Sequence, residues 1–124
     1  MAANAVTDTN SNPISIPING RLTVSSVSLT IAGKTSHKVF LIGHFSANFT
    51  GAKDGAVVAE VSEDGNTMMS TELDYQTGVV GTLVSLSGIL TVKPGKHVFE
   101  LKAYAEKATS MAAHHRSLTA IDLR

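Results

Sequence analysis

Alternation of apolar and polar residues with a period of two constrains this chain more than anything else in it. Val39, Leu41, Phe45, Ala47 and Phe49 share one phase. Val84, Leu86, Leu90 and Val92 share a second, and Phe99, Leu101 and Ala103 a third. Successive side chains of a strand point to opposite faces, so such a pattern buries one face of a sheet. No stripe of helical period competes with it. At 124 residues the chain is expected to be one domain. A chain of this size buries roughly two-thirds of its unfolded surface, enough for one core without covalent staples. The fold expected is an all-β, single-domain antiparallel sandwich.

Turn residues divide the alternation into elements. Pro13 to Gly20 alternates Ile14, Ile16 and Ile18, but Pro13 and Pro17 cannot donate to a ladder, which limits it to an edge strand. Asn19-Gly20 is a two-residue turn signal. In Leu22 to Ile31 the phase slips at Ser25-Ser26, as at a β-bulge or a change of sheet. Val39 to Phe49 is the longest strand. Ala56 to Ser62 and Thr67 to Leu73 flank Glu63-Asp64-Gly65-Asn66, a hairpin turn in which Gly65 is free to take positive φ. A looser loop, Asp74 to Gly81, carries Tyr75. Leu83 to Val92 ends at Lys93-Pro94-Gly95-Lys96, which suits a type II turn. His97 to Ala105 and Leu118 to Leu123 complete a set of about eight strands. Between them, Ala105 to Ser117 is open to two readings. Tyr104, Ala108, Met111 and His115 fall at helical spacing, yet a long loop fits as well.

Residues 1–12 are small and polar, with little apolar beyond Val6. They read as a flexible arm that cannot offset its own ordering entropy, leaving residues 13–124 as the sandwich. Removing the arm is expected to keep the melting temperature within a few degrees and to weaken attachment to an assembly.

Charge and composition exclude several functions. Ten basic and ten acidic residues give a net charge of zero, and no basic stripe exists, so nucleic acid is not an expected partner. There is no cysteine, which excludes disulfides, a thiolate nucleophile and thiolate-ligated zinc. The first seventeen residues have neither the basic nor the apolar region of a secretory signal. No apolar run is long enough to span a membrane as a helix. Synthesis in a cytoplasm is the expectation.

Chemistry-bearing residues form no catalytic pattern, so no enzyme activity and no cofactor are expected. His37, His44 and His97 are scattered. His114 and His115 are adjacent, and on a regular strand they would face opposite ways and could not share a metal ion. Glu63-Asp64 reads as turn chemistry. The segment lacks the ligand spacing of a calcium loop. Neither a nucleophile elbow nor a Gly-rich phosphate loop is present. A ligand pocket, if there is one, is expected in the loops near Tyr75 and His114-His115.

Apolar residues in the outward phase carry the stronger signal. Phe40 and Ile42, Leu83 and Ile89, and Val98 and Tyr104 all lie opposite the core phase of their strands. Strands apolar on both faces are buried on both faces, and a partner subunit can cover the second. These six residues are the expected oligomer interface.

Three segments together resemble a known group of folds. Leu90 to Tyr104 (LTVKPGKHVFELKAY) is similar to the penultimate-hairpin pattern of C1q/TNF-like jelly rolls. His115 to Leu123 (HRSLTAIDL) resembles the closing strand of small bacteriophage β-proteins, and Phe40 to Phe49 (FLIGHFSANF) their long central strand. The closing strand departs from the animal C1q/TNF proteins in lacking their aromatic-rich pattern. The resemblance implies a jelly roll that forms a homotrimer without enzymatic activity. It implies a phage virion component, most simply a capsid decoration or cement protein whose partners are itself and the major capsid protein or other virion proteins. A fibre or tail-tip module that binds a receptor or carbohydrate is the alternative.

Overall fold

A computed structural model describes residues 4–16, 20–51, 53–106 and 110–123. Nine strands appear there: β1 (Asn4–Asn10), β2 (Ile14–Ile16), β3 (Leu22–Ile31), β4 (His37–Thr50), β5 (Gly55–Glu63), β6 (Asn66–Tyr75), β7 (Gly81–Val92), β8 (Gly95–Ala105) and β9 (Ser110–Asp122). They form two antiparallel sheets. One runs β1-β9-β4-β7, with β2 also on β9; the other runs β3-β8-β5-β6. Only β5 and β6 are joined as a hairpin within a sheet. From β2 onward every other connection crosses between the sheets, the winding of a jelly roll.

The phases read from the sequence face the core. Val39, Leu41, Phe45 and Phe49 of β4 and Val84 and Leu86 of β7 meet Phe99, Leu101 and Ala103 of β8 and Val57, Ala59 and Val61 of β5. Gly43 is the point of closest interlock. It pairs with Leu86 on one side and Leu118 on the other. A β-carbon there would stand 3.1 Å from Leu101 Cδ1, so the missing side chain lets Leu101 of the opposite sheet reach the backbone. The phase slip in β3 is a register shift between Thr23 and Ser25 against β8. Gly65 has φ +80° beside Asp64 at +51°, which matches a tight hairpin with both central residues left-handed.

Several expectations need correction. Asn4–Asn10, expected within a free arm, is strand β1, in register with β9 from Asn4↔Asp122 to Asn10↔Arg116. Its backbone pairs with β9, while Val6 packs against the core and Asp8 bonds β3. The Pro-Gly turn after Val92 closes no hairpin: β7 and β8 lie in different sheets, and the turn carries the chain across the sandwich. The stretch left between helix and loop is strand from Ser110; residues 107–109 and Asn19 of the expected Asn19-Gly20 turn lie outside the described residues.

β9 departs from strict alternation. Its inward residues change from odd (Met111, Ala113) to even (Leu118, Ala120). A bulge absorbs the change: His44 pairs with Ser117 but Ser46 with His114, so β9 carries an extra residue. His115 sits there with φ +50°. Arg116, next to the bulge, is buried. Its Nη1 donates to the Val24 carbonyl at 2.8 Å, and its Nε and Nη2 donate to the Asn12 carbonyl at 3.2 and 3.0 Å. One side chain thus ties β9 both to the β1–β2 link of its own sheet and to β3 of the other sheet.

Two outcomes follow. Arg116→Met leaves the buried Val24 carbonyl and the partly buried Asn12 carbonyl short of a charged donor and lowers unfolding free energy by about 2–3 kcal/mol in urea melts. Deleting residues 1–12 strips β9 of its β1 partner. It removes the Asp8 carboxylate that accepts from Ser25 Oγ at 2.6 Å and the Ser26 amide at 3.1 Å. A thermal melt should show Tm falling by about 10 °C or more.

Candidate assembly face

The outer face of the β1-β9-β4-β7 sheet is built in rows, because cross-strand partners on one face stand side by side. One row is apolar across four strands: Ala5, Ile121, Phe40 and Ile89. The next reads Thr7, Thr119, Ile42 and Ser87, with the two threonine hydroxyls 3.0 Å apart. A third reads Thr9, Ser117, His44 and Ser85. Beyond the bulge, His114 pairs with Ser46, and Ser46 with Leu83. Leu83 and Ile89 are 77% and 59% exposed, and with Phe40 and Ile42 they place four large apolar side chains on one outer face.

Charge is nearly absent from this face. Among the described residues of its strands the charged side chains are Asp8, Lys38, Arg116 and Asp122. Asp8 turns to β3, Arg116 to Val24 and Asn12, and Asp122 to His37 Nδ1 at 2.9 Å. Lys38 alone belongs to the outward phase, at the sheet's end, where its Nζ donates to Thr91 Oγ1 at 2.8 Å. The edge strand β7 carries no charge and no proline along twelve residues. Such an edge is an open template for pairing or packing.

The opposite outer face differs. Glu60 is buried, meets Arg21 Nη2 at 3.2 Å and accepts from Thr67 Oγ1 at 2.6 Å. Glu100 accepts from Thr23 Oγ1 at 2.8 Å, and the Arg21 guanidinium lies 4.9 Å from the centre of the Tyr104 ring. The six residues expected to form one interface are therefore divided. Phe40, Ile42, Leu83 and Ile89 share the uncharged face, whereas Val98 and Tyr104, on β8, look the other way. The divided set is a correction: period-two phase assigns a residue to an outer face but does not say which sheet the strand joins.

The expected ligand loops also change. Tyr75 ends β6 as a buried side chain, its ring 4.6 Å from that of Phe49. Burial, then the charge of Glu106, push its hydroxyl above the ordinary 10.0. It is a core residue at a strand end. His114 and His115 lie within β9, and the bulge brings their rings to 4.9 Å of each other instead of onto opposite faces. Asn48 Nδ2 stands 2.8 Å from His114 Nε2. Ile121 and Ala5 went unrecognised in the sequence because their part in the apolar row depends on register with Phe40. Among the described residues no three His, Cys, Asp or Glu side chains gather as a metal site. A groove of about 340 Å³ opens instead between β6 and β7, lined by Ile42, Ser70, Thr71, Ser85, Leu86 and Ser87.

No protein-family model matches the chain, and no curated protein matches it. Solved structures do. The chain is similar to the infectious bursal disease virus VP2 subviral particle protein, with TM-score 0.64 and 15% identity over 97% of this chain and 33% of that one. It is similar to the Eiger TNF of S. frugiperda, with TM-score 0.62 and 6% identity over 98% of this chain and 93% of that one. Latent PorU of Porphyromonas gingivalis aligns with TM-score 0.62 and 13% identity over 100% of this chain and 13% of that one. The chain spans about a third of the length of the VP2 protein. At these identities the likeness establishes the jelly-roll fold.

The remaining histidine, His97, bonds Glu63 through Nδ1 and the Lys93 carbonyl through Nε2, the latter at 2.7 Å. Burial opposes its charge, but the bonds to Glu63 and Lys93 and the charges of Glu63 and Asp64 outweigh that and raise its pKa above 6.5. A raised folded value gives stability that is complete below the unfolded pKa and lost as pH climbs through the folded one. Tm should therefore fall by a few degrees between about pH 6 and about pH 8, and His97→Gln should flatten that part of the profile.

Proposed function

We propose that this protein is a non-enzymatic virion structural protein that assembles as a homotrimer through the outer face of the β1-β9-β4-β7 sheet, in the role of a bacteriophage capsid decoration or cement protein. One observation carries the reading: an apolar row crosses a face that is almost free of charge and runs out to an unprotected edge. A face whose one outward charge, Lys38, lies at its end meets copies of itself with little like-charge repulsion. Each large apolar side chain it buries contributes roughly 1.5–3 kcal/mol before association entropy is subtracted. Proteins with similar folds include one from a viral subviral particle and a TNF, which supports an assembly role over catalysis. On a capsid, a trimer would cross-link neighbouring capsid subunits, adding their contacts by avidity.

Static light scattering at micromolar concentration tests the trimer, with three times the 13.0 kDa chain mass expected. Phe40→Asp buries a carboxylate in the apolar row and should yield monomers. Val98→Asp, on the charged face, should leave the trimer intact. A monomeric natural chain, or a trimeric Phe40→Asp, defeats the proposal. Co-sedimentation with undecorated capsids then tests the capsid role. The receptor- or carbohydrate-binding alternative is favoured by the groove between β6 and β7, whose lining includes four hydroxyl side chains, Ser70, Thr71, Ser85 and Ser87. Glycan-array binding without capsid binding would select it.

A further inference from the structure

The five histidines fall into two sets. His37 and His97 each bond a carboxylate, Asp122 and Glu63 respectively. His44, His114 and His115 belong to the face proposed to assemble, around the bulge where β9 meets β4. The residues paired with His44 and His114 are uncharged. His44 stands between Ser85 of β7 and Ser117 of β9. His114 stands beside Ser46 and Asn48 of β4. Neither β2 nor β7 carries a charged residue. The charges of β1, β4 and β9 are turned away or lie at the far end, as described for Asp8, Lys38, Arg116 and Asp122.

We propose that these three histidines make assembly of the protein pH-dependent, holding copies together while neutral and separating them when protonated. The inference rests on the assembly reading above. In a rotationally symmetric assembly the same face of each copy turns toward the axis, so histidines of one copy face a region with no carboxylate to receive their charge. A contact of amide nitrogen with imidazole nitrogen, as between Asn48 Nδ2 and His114 Nε2, donates to an unprotonated ring. Protonation ends that acceptor role and adds a charge to a surface being removed from water. Protons therefore bind better to separated subunits, and linkage requires them to drive separation. Association is therefore weaker at pH 5 than at pH 8.

The test is light scattering across dilution series at pH 8 and pH 5. The natural chain should be oligomeric at pH 8 and largely monomeric at pH 5 at the same concentration. The triple variant His44→Gln, His114→Gln, His115→Asn removes the titrating groups, asparagine being chosen for the positive φ at position 115. It should keep the same mass at both values. A monomeric natural chain at pH 8 overturns the assembly reading and this inference with it. An oligomer that persists unchanged at pH 5 overturns only the inference, as does a triple variant that still dissociates. If the triple variant does not assemble at pH 8, the natural chain decides through the slope of log Kd against pH below about pH 6. A slope of at least one proton per protomer, preserved in His37→Gln/His97→Gln, supports the inference; a flat profile, or a slope lost in that double variant, overturns it.

Discussion

The structure depends on β9 having a partner along both of its edges. β9 takes β4 on one side and the β1–β2 segment on the other, so the last strand cannot be completed until the first residues lie against it. Arg116 reinforces the constraint from inside by bonding the carbonyls of Asn12 and Val24, which belong to the β1–β2 link and to the opposite sheet. Nearly every connection crosses the sandwich, so stabilising pairs are distant in sequence. Chains of that kind close costly loops before contacts reward them, which places them among slower-folding small domains. The same requirement explains why a segment as polar as Asn4–Asn10 is ordered: backbone pairing with β9 is joined by the Asp8 bonds to β3 and by Val6 against the core, and a polar composition does not reveal either.

Winding the chain in this way distributes charge unequally. β5 and β8 bring Glu60, Glu100 and Lys102 to the outer face of one sheet, where Arg21, Thr23 and Thr67 satisfy the acids locally. β4, β7 and β9 bring serine, threonine, histidine and scattered large apolar residues to the other. A zero net charge for the whole chain conceals this difference. On the first face the outward side chains of β5, Ala56, Val58, Glu60 and Ser62, are buried. The second combines exposed Leu83 and Ile89 with an edge strand that has none of the charges, prolines or bulges by which soluble sheets block further association.

Much of this was legible in one dimension. The inward phases of β4, β7 and β8, the slip in β3 and the Asp64-Gly65 turn all follow from rules that act between neighbours in sequence, and a period of two is strong wherever one face is buried. Two local signals were read wrongly. Pro94-Gly95 makes a turn, but turn chemistry does not distinguish a hairpin from a crossing between sheets, since both reverse the chain. The change from Met111 and Ala113 to Leu118 and Ala120 signalled a bulge in β9; alanine's weak hydrophobic contrast let Ala105 to Ser117 pass as helix or loop.

The sequence by itself determined that the chain is a sandwich, which side chains of β4, β7 and β8 enter the core, and that some strands carry apolar residues on both faces. Each of these depends only on the alternation of side chains along a strand. Tertiary structure alone decided that Phe40 lies between Ile121 and Ile89 with Ala5 beyond, that Val98 and Tyr104 belong to a different surface, that Tyr75 is core, and that His114 and His115 stand side by side. Those outcomes depend on which strands are neighbours and in what register. Register is set by the packing of both sheets at once, so no single segment contains it.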